Sequence, residues 1–189
     1  MPISRDDYRA QWYAAVAIEG RAVDFQRAGD LASAAKEWES LIAVDPGWEH
    51  GRALNGLAGC YSHLGRIPEA KAFYLRALEV EPDPLYLGNL ASHLYLLGDP
   101  AEALEMNLQY VQFAMADGLE NLADERLPLI LGLGDRLGLS QEIAESRYAA
   151  AKEVGRAGKL PEIVANWKFP GPGSVFDERL PDGDHRQTE

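Results

Sequence analysis

The stretch HLGRIPEAKAFYLRALEVEP, residues 63–82, decides the fold. Gly65 suits the left-handed position that ends a helix, because it has no Cβ to clash. A second helix is predicted from about Ile67 to Glu79, with Pro68 in its first turn, where a missing N–H loses nothing. Pro82 stops that helix from running on. Just upstream, Leu54, Leu57, Ala58, Tyr61 and Leu64 recur at helical spacing and form one apolar stripe. Ala58 and Ala70 are small where two antiparallel helices must approach. The unit is a helix hairpin that cannot bury its own apolar face, so neighbours must stack on it.

The same punctuation occurs three times. Five, nine, twelve and seventeen residues after Gly65 stand Ala70, Tyr74, Ala77 and Pro82. The same steps from Gly29 give Ala34, Trp38, Leu41 and Pro46, and from Gly98 they give Ala103, Asn107, Tyr110 and Met115. Before each glycine the register also holds, through Phe25, Tyr61 and Leu94, then Ala22, Ala58 and Ala91, then Ile18, Leu54 and Leu87. Some positions depart from it. Arg21 stands where the later units have Leu57 and Leu90, Asn107 replaces the aromatic, and Met115 replaces the proline, so the third unit is expected to end in a longer helix stopped near Gly118.

These residues resemble the tetratricopeptide repeat family, whose pattern places an aromatic or apolar residue, Leu, a small residue, Tyr, Ala, an aromatic and Pro at fixed offsets. The resemblance implies an all-α solenoid of helix hairpins over residues 1–158, with repeats at about 15–50, 51–83 and 84–117. A degenerate capping hairpin is expected over 120–157, in which Pro128 lies near the first turn of its first helix or kinks it. Ser4 and Asp7 read as a capping box opening a helix from about Arg5 to Gln26. The Tyr8, Trp12, Tyr13 and Val16 edge of that helix is expected to pack on the repeat, the alternative being a dimer contact. The tail, 159–189, is rich in Pro and Gly yet carries Ile163, Val164, Trp167, Phe169, Val175 and Phe176. It is expected to dock in extended form to about Phe176.

Bulk properties bound the function. The chain has 189 residues, 47% of them hydrophobic and 25% charged, and a net charge of −12. A chain this long buries about two thirds of its unfolded surface. Its negative charge repels phosphate backbones, which argues against nucleic acid as a partner. The single cysteine, Cys60, allows no intramolecular disulfide and reads as a small buried residue. No apolar leader and no membrane-length apolar run is seen, so the default expectation is a cytoplasmic protein, monomer or homodimer.

Residues for catalysis are not assembled in any pattern. The four histidines, His50, His63, His93 and His185, never pair at the four-residue spacing of a helical metal site, and GLGDRLG lacks the strand and Gly-Lys ending of a phosphate loop. We therefore expect no enzyme, no cofactor and no metal. The resemblance instead implies a concave groove lined by the first helix of each hairpin, which binds peptides or helices. Its lining here is Glu19, Gly20, Val23, Gln26 and Arg27, then Arg52, Asn55, Gly56, Gly59, Ser62 and His63, then Leu85, Gly88, Asn89, Ser92, Tyr95 and Leu96. Arg126, Leu133 and Arg136 would extend it. Glycine inside a helix costs about 0.5–1 kcal/mol against alanine. Gly56, Gly59 and Gly88 therefore mark close approach, either of a ligand or of a neighbouring helix or the tail. Asn55 and Asn89 can each donate to and accept from a peptide amide.

The resemblance also allows a negative test. Family members that grip acidic chaperone tails use a clamp of Lys and Asn, then Asn, then Lys and Arg across three repeats, and its matching positions are Glu19 and Val23, then Gly56, then Leu85 and Asn89. None is cationic, so no binding to such tails is expected. The function expected is a non-catalytic adaptor that holds a partner segment. The alternatives are a secretion-type chaperone cradling an unfolded client, or a self-assembly module.

Overall fold

The apolar stripes do close into hairpins. A computed structural model describes residues 5–165, and every regular element among them is helical. The chain runs through α1 (Arg5–Arg27), α2 (Leu31–Val44), α3 (Trp48–His63), α4 (Ile67–Val80), α5 (Pro84–Leu97) and α6 (Pro100–Ala116). There follow α7 (Glu120–Asp124), α8 (Leu127–Arg136), α9 (Gln141–Arg156) and α10 (Glu162–Ala165). α1 packs on α2, α3 on α4 and α5 on α6; the hairpins stack through α2 on α3 and α4 on α5. This is an all-α hairpin solenoid.

The repeating positions are its core. Ala22, Ala58 and Ala91 on the first helices, and Ala34, Ala70 and Ala103 on the second, are all fully buried. Trp38, Tyr74 and Asn107 follow in the next buried turn. Ile18 and Phe25 are only half-buried, since among the described residues no earlier hairpin stacks on α1. Trp12 and Ala15 meet the core, but Tyr13 is 64% and Val16 37% exposed. Packing of the N-terminal edge is thus only partial. Ser4 lies outside the described residues.

The three turns are not alike. Gly29 (φ 78°) and Gly65 (φ 75°) take the left-handed conformation expected of them. Gly98 does not: it is extended, with φ −101° and ψ −172°. A Cβ there would lie 2.8 Å from Leu94 Cδ2 and 2.9 Å from the Leu94 carbonyl oxygen, so close approach, not handedness, demands glycine. Only Gly98 and Asp99 join α5 to α6, and the Asp99 carboxylate accepts from the Ala101 and Glu102 amides. Asp30, Asp83 and Ser140 cap α2, α5 and α9 in the same way.

α3 opens with three left-handed residues, Glu49 (φ 45°), His50 (φ 55°) and Gly51 (φ 90°), so its regular turns begin after Gly51. Such conformations persist only where the surroundings over-determine them. Here Trp48, 1% exposed, anchors the turn and donates its indole N–H to Glu19 Oε2 at 2.9 Å. A Cβ on Gly51 would stand 3.1 Å from the Ala77 carbonyl oxygen.

Beyond Gly118 (φ 75°), the segment expected as one helix is two, α7 and α8. Pro128 is the reason. Its nitrogen cannot bond to the Asp124 carbonyl, its ring would strike that carbonyl, and the helix stops at Asp124. The short α7 is clasped to α9. Lys152 Nζ meets Asp124 at 2.6 Å and Glu120 at 3.1 Å, and Arg156 meets Glu120 at 2.8 Å. These partners hold both carboxyls below their usual range, Lys152 contributing most to each. α9 lies so close to α6 that a Cβ on Gly155 would strike the Gln112 carbonyl.

The start of the tail docks, but as a helical turn and not in extended form. Val164 is 2% exposed, and the Ile163 amide donates to Gln109 Oε1 on α6 at 3.3 Å. Residues 166–189, with Trp167, Phe169, Val175 and Phe176, lie outside the described residues.

Candidate functional site

α1, α3, α5 and α8 carry the residues expected to line a groove. The polar ones reach across from one helix to the next. Arg52 Nε meets Glu19 Oε1 at 2.9 Å, tying α3 to α1. Asn89 Nδ2 donates to Asn55 Oδ1 at 3.1 Å, tying α5 to α3. Ser62 Oγ lies 2.6 Å from His93 Nδ1 at the far end of the same pair of helices. Arg126 Nη1 donates to Ser92 Oγ at 3.0 Å, and Arg136 Nη1 to the Tyr95 carbonyl at 3.2 Å, tying α8 to α5. His63 and Arg27 are exposed, Gly20 has nothing near it, and Val23 packs on the core. Gln26 accepts the indole N–H of Trp38 at 3.1 Å.

The glycines divide. A Cβ on Gly56 would lie 2.6 Å from Trp38 Cε2, and one on Gly88 would lie 2.8 Å from Tyr110 Cε2. The space beside both is taken by rings of neighbouring helices, Trp38 of α2 and Tyr110 of α6, the second of the two approaches expected there. Gly59, by contrast, is roomy, its nearest neighbour being the Tyr74 hydroxyl at 3.9 Å. Leu133 corrects the expected lining. It is wholly buried and belongs to the core.

Residues 26–92 match the family model described as tetratricopeptide repeat. Those residues carry tetratricopeptide repeats. The match runs from the last turn of α1 into α5 and stops before α6, where Asn107 and Met115 depart from the pattern. No curated protein matches the chain. Among the described residues, no group of His, Cys, Asp and Glu could hold a metal ion, and no helix is long and apolar enough to cross a membrane.

Asn107 has its own purpose in the hairpin of α5 and α6. It is fully buried, donates to the Ala103 carbonyl at 2.8 Å, and offers its Oδ1 to Arg126 Nη1 at 3.5 Å. Arg126 also stacks over Tyr110, its guanidinium carbon 4.2 Å from the ring centre. The arginine fills the face above Gly88 and is not free for a ligand. Arg126→Ala should cost about 2–3 kcal/mol, from a buried acceptor left without its donor and a lost cation–π contact. Hydrogen exchange should accelerate in α8 and α9 and stay unchanged in α3 and α4. Lys at the same position should not restore protection, since it has no fork to serve several acceptors. Uniform acceleration along the chain would contradict this role.

His93 was passed over in the sequence because it lies one position off the stripe of lining residues. It is 3% exposed, bonded to Ser62 through Nδ1, and its Nε2 finds no hydrogen-bond partner among the described residues. Burial pushes its pKa down, with the Ile67 carbonyl opposing. The unfolded chain takes up this proton near pH 6.5 and the folded chain only at lower pH. Stability is therefore complete above about pH 6.5 and falls as the pH drops below it. His93→Gln should shrink the fall in urea midpoint between pH 7.5 and 5.5. An unchanged fall would show that another group carries it. The carboxylates held low, Glu69, Glu120, Asp124 and Asp30, act in a separate window below about pH 4.5. Cys60 is also buried, with its thiol pushed up to about 11 by desolvation, and so is a poor nucleophile.

Proposed function

We propose that this tetratricopeptide repeat protein is a non-catalytic adaptor that lays a segment of another protein along the face of α3 and α5. Repeats of this family mediate protein–protein interaction. The observation that carries the finer reading is the Asn55–Asn89 pair. Their mutual bond uses one donor of Asn89 and the acceptor of Asn55. It leaves the Asn55 amide donors and the Asn89 carbonyl without a partner among the described residues. One donor beside one acceptor is what a peptide group requires. Gly59 and Ser62, half-exposed on the next turns of α3, leave space for the segment to continue.

Asn55→Ala with Asn89→Ala removes that pair. Because the pair also joins two repeats, the double variant should lose about 1 kcal/mol of stability. Proteins captured by the wild type should be lost from it, and should be kept by Lys36→Ala on α2, when captures are compared by mass spectrometry. Equal capture by the double variant would place binding on another face. A self-assembly reading draws on Tyr13, 64% exposed on α1. Tyr13→Ser would lower the mass seen by light scattering if it holds, and leave it unchanged if it does not.

A further inference from the structure

A cleft of about 530 Å³ opens where α5 begins and α6 ends. Its floor is apolar: Tyr110 and Phe113 of α6, Pro82 and Pro84 before and at the start of α5. Three exposed leucines stand around that floor, Leu85 at 61%, Leu119 at 37% and Leu122 at 38%. Its rim is acidic, with Glu81, Asp83 and Asp117. Glu81 is paired with His50 Nδ1 at 2.7 Å, and Asp83 accepts the Leu85 amide as the cap of α5. Asp117 makes no side-chain hydrogen bond or ion pair among the described residues. It sits at the C-cap of α6, where the negative end of the helix dipole faces the same opening. An anion there is unfavourable for α6 alone and is relieved by a cation from outside. The volume lies within the range of ligand-binding clefts.

We propose that this cleft seats a segment of a partner protein in which a lysine or arginine is flanked by apolar side chains. The apolar groups cover Leu85, Leu119 and Leu122. The cation meets Asp117 and Asp83. This deepens the adaptor reading and rests on it, since it names the chemistry of the partner at the edge of the α5 face. It also makes the site the electrostatic opposite of one that grips acidic tails.

The test is a titration of the isotope-labelled full chain, followed by amide chemical shifts. The probes are acetyl-Leu-Arg-Leu-amide and its charge-reversed counterpart acetyl-Leu-Glu-Leu-amide. The arginine peptide should give saturable shifts at Leu85, Phe113, Asp117 and Leu119, with a Kd of order 1–10 mM. The glutamate peptide should bind at least fivefold more weakly. Asp83→Asn with Asp117→Asn should weaken the arginine peptide at least fivefold; asparagine keeps the cap on α5, so the fold is retained. No saturable shift, equal binding of the two peptides, or shifts centred elsewhere would overturn the proposal. Failure of the adaptor reading looks different: the Asn55 and Asn89 double variant would keep its captured proteins while the arginine peptide still occupied the cleft.

Discussion

Ala70→Trp is expected to destabilise the protein by about 3 kcal/mol or more, seen as a lowered urea midpoint. Ala70 is fully buried on α4, facing a helix whose own Ala58 is equally buried. The two helices approach through these small residues, so an indole can be admitted only by prising the hairpin open. The loss should appear first as faster hydrogen exchange in α3 and α4, because each hairpin of a solenoid is held by its neighbours. A neutral result would mean that the repeat register assigned to the chain is wrong.

Trp38→Ala should cost about 3–5 kcal/mol, a large part of the 5–15 kcal/mol available to a typical domain. Trp38 is 2% exposed, its indole N–H is held by Gln26, and its ring lies against Gly56 on α3. Removing the ring leaves a void beside a residue with no side chain to fill it. The assignment can be checked by a double-mutant cycle. Gly56→Ala should be costly in the wild type, where the new Cβ would lie 2.6 Å from Trp38 Cε2. It should be mild in the Trp38→Ala background. A coupling of about 0.5–3 kcal/mol is expected, and additivity within error would show that the two positions do not touch.

The hairpins were legible because they rest on short-range rules. The alanines at 22, 58, 91, 34, 70 and 103 are spaced by helix geometry, and all are buried where the spacing put them. Gly98 shows where such a rule misleads: it occupies the position of Gly29 and Gly65, but a loop one residue shorter replaces handedness with contact against Leu94. The candidate face was legible only as a set of positions. What the residues do there depends on the offset between stacked hairpins. Asn55 bonds to Asn89, 34 residues on, Ser92 to Arg126, again 34 on, and Ser62 to His93, 31 on. Polar pairs about one repeat apart on successive first helices were the available signal. The cleft at Leu119 and Leu122 had none, because its lining comes from the start of α5, the end of α6 and α7, which only the folded chain brings together.

We propose that the face of α3 and α5 receives the partner. This is tested most directly by hydrogen exchange on the full chain, alone and with the protein captured by the wild type. Added protection is expected along α3 and α5 around Asn55, Ser62, Asn89 and Ser92, with none on α2 or α4. Protection confined to α2 and α4, or none on α3 and α5 in a saturated complex, would contradict it.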